Sequence, residues 1–256
     1  MQWTDEGIII GTRRHGETSL IVELMTANHG RHLGLVRGGR SRKLQPLLQP
    51  GNSVTALWRA RLDSHLGNYT LDGLTARAAR LIETRSGLYG LQALAALLRL
   101  LPERDPHPSL YAALDAILDY LDDPLAAGAL VVRFELKLLD DLGFGLDLTE
   151  CAATGITDDL GYVSPKTGRA VSRRAAEPYR NRLLRLPAFL LGAASEGDPT
   201  AAEVADGFAL TGYFLARHVY EPRGLEPSDA RTALLTLVAK VRFSGEEIPS
   251  DQQPVL

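Results

Sequence analysis

The chain has 256 residues, 45% of them hydrophobic and 23% charged, and a formal net charge of −3; this is enough apolar side chain for a packed core, so disorder is not the default, and the length suits two modest domains. Its one cysteine, Cys151, excludes an internal disulfide framework and a multi-cysteine zinc cage, and fits a reducing, cytoplasmic compartment. No basic-then-apolar signal opens the chain, and the apolar stretches Leu88–Leu101 and Leu125–Val132 are interrupted before bilayer length, so no membrane address is expected.

From Glu6 to Leu74 the pattern is of short β-branched or alternating runs separated by turn residues: GIIIGT, SLIVELMT, RHLGLVR, SVTALWRARL and NYTLDGL. Five short strands in so few residues predict a small all-β barrel. Asn28, His29 and Gly30 suit a tight turn, and Gly38-Gly39 and Pro50-Gly51 open and close a longer, flexible loop. A five-stranded OB-type barrel has this economy and binds oligonucleotides with its face and loops; an SH3-like barrel has it too.

After Thr75 the period turns helical. SGLYGLQALAALLRLL, SLYAALDAILDYLDD and PLAAGALVVRFELKLLDDLG place apolar residues three and four apart. Ser109 is the expected N-cap of the second of these helices, Pro124 or Leu125 starts the third, and Gly143 and Gly145 end it. Thr200 to Glu203 reads as a capping box ahead of a helix reaching about Tyr220, and Ser228 opens another that ends near Val241. The fold class is therefore α+β: a barrel in residues 1–80, an all-α helical domain in 81–243 with an irregular subdomain at about 146–186, and a loose tail over 244–256.

Charge is divided unevenly along this plan. Residues 1–80 hold eleven Lys/Arg against six Asp/Glu, a balance of +5, and the remainder holds seventeen against twenty-five, or −8. No acid occurs between Glu23 and Asp63, an interval that contains Arg31, Arg37, Arg40, Arg42, Lys43, Arg59 and Arg61. Arginine presents a planar fork of donors that matches phosphate oxygens and stacks on bases. Trp58, interleaved with Arg59 and Arg61, serves either as barrel core or as a stacking platform.

Catalytic signatures are missing. No Gly-Lys pair exists for a phosphate-cradling P-loop, there is no G-x-S-x-G elbow, and the six histidines lack the H-E-x-x-H spacing of a zinc helix. The acid pairs Asp122-Asp123, Asp140-Asp141 and Asp158-Asp159 read as solvated charge or capping, and Cys151, with Thr154 where a second zinc thiolate would stand, reads as a lone thiol. Neither a metal nor a cofactor is expected.

The series from Gly7 to Gly51, with G-E-T-S-L, T-x-x-H-G-R, R-G-G-R-x-x-K and L-Q-P in order, followed by RFELKLLDDLGFGLDL at Arg133–Leu148, resembles the RecO family of bacterial recombination mediators. The resemblance implies an N-terminal OB-fold, a helical C-terminal domain and no enzymatic turnover. It implies binding of single- and double-stranded DNA, annealing of complementary strands, and work with RecR to load RecA onto DNA covered by single-strand-binding protein, whose acidic C-terminal tail meets the helical domain. Some members hold zinc with four cysteines in the region matching Glu150–Arg173; the departure at Thr154 leaves a loop expected to be held by packing and hydrogen bonds.

Arg31, Arg37, Arg40, Arg42, Lys43, Arg59 and Arg61, with Arg13 and Arg14, are accordingly the expected DNA contacts. If about five of them touch single-stranded DNA, log affinity falls against log salt with a slope of roughly −3.5. Arg169, Arg173, Arg174, Arg180, Arg182 and Arg185 form a candidate second basic surface for more DNA or an acidic peptide. Such a chain is expected in the cytoplasm, at the nucleoid. Two other readings use the same barrel: an RNA-binding translation or ribosome-assembly factor, and a scaffold whose basic loop meets an acidic protein.

Overall fold

The computed structural model describes residues 1–192 and 198–244; the tail expected from Ser244 onward lies, past Ser244 itself, outside the described residues. Five strands, β1 (Gln2–His15), β2 (Ser19–Thr26), β3 (Gly30–Val36), β4 (Ser53–Arg59) and β5 (Asn68–Thr75), close into a barrel of order β1-β2-β3-β5-β4. All pairs are antiparallel except β3 with β5. These are the five runs read from the sequence, with β1 starting earlier and running longer than GIIIGT.

The triplet Ile8-Ile9-Ile10 does not alternate, and the barrel wall explains why. Successive strand residues point to opposite faces. Ile9 joins Val22, Leu24, Val54 and Trp58 inside the barrel, whereas Ile8 and Ile10, with Met25, pack outward into the helical core. The register of β1 on β2 shifts between Ile9 and Gly11, a bulge that bends the strand at this junction.

The helical part starts with α1 (Ala78–Glu83) and α2 (Arg85–Leu98), followed by α3 (Pro108–Ile117) and α4 (Pro124–Asp141). The N-cap of α3 is His107, not Ser109, because Pro108 takes the first helical position, where its missing N–H costs nothing. Asp123 caps α4, accepting from the Ala126 N–H at 2.8 Å, and Gly143 leaves the helix at φ +84. The stretch expected to be irregular holds a small sheet of β6 (Leu160–Val163), β7 (Ala170–Ser172) and β8 (Leu184–Arg185), order β7-β6-β8, with the one-turn α5 (Arg173–Ala176). Thr200 and Glu203 form the capping box of α6 (Ala201–Leu215), which runs into a π-helical turn at Ala216–Tyr220 and the short α7 (Glu221–Arg223). The last helix, α8 (Asp229–Ser244), packs against α2, α4 and α6. Among the described residues no helix is long and apolar enough to cross a membrane.

Barrel and helices are also joined by charge. Arg77, buried between them, bonds the Ser53 hydroxyl at 2.7 Å, Asp115 at 3.0 Å and Asp119 at 3.0 and 3.2 Å. Burial works against its charge, but the two carboxylates prevail and raise its pKa.

His32 is the barrel's buried titratable base. Its Nδ1 lies 2.9 Å from the Tyr69 hydroxyl, within hydrogen-bond distance, and the ring packs edge-on against Trp3 and Trp58. Burial, then the positive field of Arg104, pushes its pKa down to about 4. The unfolded chain, near 6.5, therefore binds the proton more readily than the folded one, so this contribution is complete above about pH 6.5 and lost as pH falls toward 4. The loss amounts to about 3 kcal/mol at most. Urea unfolding at pH 7 and pH 4.5 should show it, and His32→Asn, which keeps an acceptor for Tyr69, should flatten the profile in that window.

Candidate nucleic-acid interface

The segment from Arg37 to Asn52, between β3 and β4, carries the densest positive charge. It is a folded turn, not the flexible loop expected from Gly38-Gly39. Leu44, Leu47 and Leu48 stand at i, i+3 and i+4, a helical spacing that puts three side chains on one face; Leu48 is 2% exposed and the three pack into the barrel core. The Leu48 N–H donates to Leu44 O at 2.9 Å, the Arg40 N–H to Thr18 O at 3.0 Å, and the Asn52 amide to Pro46 O and Leu47 O. Gly38, at φ +64, makes the turn that sends the chain across the barrel. With the leucines turned in, Arg37, Arg40, Arg42 and Lys43 are turned out and exposed.

Two concavities flank this turn, and Leu48 lines both. One, of about 590 Å³, has Arg14 and Arg40 in its wall with Ser41, Gln45 and Gln49; the other, of about 470 Å³, has Arg37 and Arg59 with Asn68 and Thr70. Arg40 donates to the Glu17 carbonyl, Arg37 to Asn68 Oδ1 at 3.2 Å, and Arg59 to Gln2 Oε1 at 3.1 Å. These acceptors are neutral groups. Arg13 and Arg14 are adjacent in β1 and project to opposite faces, and Arg14 lines the first of these concavities. Arg61 is exposed just beyond β4. Among the described residues, Arg13, Arg14, Arg37, Arg40, Arg42, Lys43, Arg59 and Arg61 make no ion pair with an acid.

Arg31 stands apart from them. Its side chain is 12% exposed, paired with Glu23 at 2.8 Å and Glu103 at 3.6 Å, and bonded to Leu101 O at 3.2 Å, so it ties the barrel to the helices. Arg31→Ala should lower stability by about 1–3 kcal/mol, because Glu23 loses a partner in a half-buried setting. Arg42→Ala should leave the unfolding midpoint nearly unchanged, and paired urea titrations of the two variants check the contrast.

Trp58 is core: it is fully buried, stacks with Trp3 at 5.6 Å and donates its indole N–H to Leu66 O at 3.0 Å. Arg104, unremarked in the sequence, lies 6.0 Å over the Trp58 ring and holds the β4–β5 connection through the carbonyls of Asp63 and His65. Only a long-range contact map would have singled it out.

The second basic surface is partly self-neutralised. Arg169 pairs with Asp147 and Glu150, Arg173 with Asp159 at 3.3 Å and Arg185 with Asp206 at 3.9 Å; Arg174, Arg180 and Arg182 are exposed and have no ion pair among the described residues. Bonds from Thr149, then Arg169, hold the Asp147 carboxyl below its usual range. Cys151, the chain's one thiol, is buried, and its Sγ accepts the Ser172 N–H at 3.3 Å.

Comparison with known proteins gives this surface its context. Residues 1–74 match the family model described as recombination protein O N terminal, and residues 83–226 the one described as recombination protein O C terminal. The DNA repair protein RecO of Mesorhizobium japonicum is 59% identical over 252 residues, 98% of this chain and 99% of its own. That of Methylobacterium nodulans is 60% identical over 240 residues, covering 93% and 98%, and that of Sinorhizobium medicae 58% over 250, covering 97% and 100%. The match spans barrel and helices alike, and the chain belongs to the RecO family of DNA repair proteins.

Proposed function

We propose that this chain is a non-enzymatic recombination mediator that binds single- and double-stranded DNA through the barrel, anneals complementary strands and, with RecR, helps load RecA onto DNA covered by single-strand-binding protein. One observation carries the reading: Arg14, Arg37, Arg40, Arg42, Lys43 and Arg59 are gathered on and around one folded turn, and among the described residues none of them makes an ion pair, although Glu17 lines the same concavity as Arg14 and Arg40. Such a surface neutralises phosphates, releases counterions and lowers the repulsion between two strands, which is what annealing requires, with no sequence dependence and no nucleotide. Residues 1–80 are the DNA-binding domain in this reading. Residues 81–243, whose acidic balance disfavours DNA, take the acidic tail of single-strand-binding protein in this reading, on the exposed cations Arg174, Arg180 and Arg182.

The test is annealing of complementary oligonucleotides precoated with single-strand-binding protein, without ATP. Wild type should anneal, and the variant with Arg37, Arg40, Arg42 and Lys43 all changed to alanine should not, while keeping its unfolding midpoint. Equal annealing by both proteins would move the DNA site elsewhere. Tighter binding of RNA than of single-stranded DNA would favour the translation-factor reading instead.

A further inference from the structure

The concavity that holds Arg14 and Arg40 does not end at the basic turn. Thr12 and Gln49 line it, and they also line a second one of about 680 Å³ between β1, the end of the turn and helices α1 and α2. We propose that the two act as one groove for single-stranded DNA, with phosphates on Arg14 and Arg40 and an unpaired base in the second half. This rests on the reading that the barrel binds DNA, and it adds the form of DNA that this part of the surface selects.

The chemistry of the second half favours a base over an acidic peptide. Its walls are largely apolar, with Pro46, Pro50, Leu88 and Leu91, and with Ile82 left 65% exposed. Its one cation, Arg99, is already compensated, paired with Glu23 at 2.9 Å and bonded to Ile10 O at 3.2 Å. A carboxylate entering here would lose water and meet no uncompensated charge. Two exposed amides complete the lining. Gln49 gives its Nε2 to Gln45 O at 2.8 Å and keeps an acceptor, and the Gln92 amide makes no hydrogen bond to another described residue. Apolar walls with amide donors and acceptors suit a neutral heterocycle whose edge carries both, and glutamine amides pair well with base edges. In a duplex those edges are engaged and the bases stacked, so only an unpaired strand can fill the groove, whereas the exposed cations of the turn accept phosphates of either form.

The experiment measures binding of a single-stranded oligonucleotide carrying one 2-aminopurine, and of a hairpin duplex of the same sequence, to the full chain and two variants. Ala79→Leu, at an exposed position on α1 in the groove wall, fills the second half without adding a stacking face; Gln92→Leu removes an amide. Expected is a fall of about tenfold in single-strand affinity for Ala79→Leu and a smaller fall for Gln92→Leu, with duplex affinity within about twofold of wild type. The rise in 2-aminopurine fluorescence on leaving the stack should appear with wild type and vanish with Ala79→Leu. Unchanged single-strand affinity and fluorescence in Ala79→Leu would overturn the groove. Two further variants separate the levels: if Arg14→Ala with Arg40→Ala binds single strands like wild type, the groove fails; if the variant with Arg37, Arg40, Arg42 and Lys43 changed to alanine binds both DNA forms like wild type, the reading of the barrel face fails, and if it weakens both while Ala79→Leu weakens neither, only the groove does.

Discussion

Changing Arg37, Arg40, Arg42 and Lys43 together to alanine is expected to weaken binding of single-stranded DNA by about two orders of magnitude near physiological salt and to flatten its salt dependence. The size follows from counterion release. Each phosphate neutralised on a single strand contributes about 0.7 to the slope of log affinity against log salt, so four lost contacts should lower its magnitude by about 2.8. Fluorescence anisotropy across a salt series reads both quantities. The fold should survive, because the turn is held by Leu44, Leu47 and Leu48 in the barrel core and by backbone bonds, not by the four cations. Arg40 loses a bond to the Glu17 carbonyl and Arg37 one to Asn68, both at exposed positions. A slope that stays the same with a reduced affinity would mean that the four act by shaping the turn and not by meeting phosphates. Arg31→Ala is the internal control: it removes an arginine from the same acid-free interval but one already paired, so it should move stability and not the slope.

That contrast marks the limit of what could be read from the chain alone. Arg31 and Arg42 lie in the same acid-free interval; what separates them is Glu23, which strand pairing brings to 2.8 Å from Arg31, and Glu103, which the docking of helices on the barrel brings within 3.6 Å. Within the barrel, alternation was a sufficient guide because each strand has one face on the interior. It failed at Ile8-Ile9-Ile10, where both faces are covered. The basic turn was found by its charge, and its rigidity stood in the same stretch, in the spacing of Leu44, Leu47 and Leu48, overshadowed by Gly38-Gly39. The sheet at Leu160–Arg185 was not legible because strands of four, three and two residues are too short to show a period. The groove beside Thr12 and Gln49 draws on β1, the turn, α1 and α2, so no local window contains it.

Glu135→Ala should lower the stability of the helical part by about 3–5 kcal/mol. Glu135 is the glutamate of R-F-E-L on α4, and although the run around it is amphipathic and charged, its side chain is fully buried. Arg231 of α8 meets it at 2.6 and 3.0 Å, and the Thr211 hydroxyl of α6 donates to the same carboxylate. The guanidinium also bonds Phe208 O at 2.8 Å and lies 4.9 Å over the Phe208 ring. Three helices thus converge on one carboxylate. Burial disfavours the charge of Arg231, yet Glu135 more than offsets it and raises the arginine's pKa; burial, then the negative charge of Glu135, pushes Tyr220 up to about 12. Removing Glu135 leaves a desolvated cation with only a carbonyl and a hydroxyl for company, which is why the loss should exceed that of an ordinary core truncation of similar size. Replacing both partners, as Glu135→Leu with Arg231→Met, removes the two desolvation penalties together and should recover most of the stability. Urea unfolding of the two single variants and the double gives the coupling between the sites. If the double variant is as stable as wild type, the pair adds no net stability; if it stays as low as Glu135→Ala, the pair's hydrogen bonds are net stabilising.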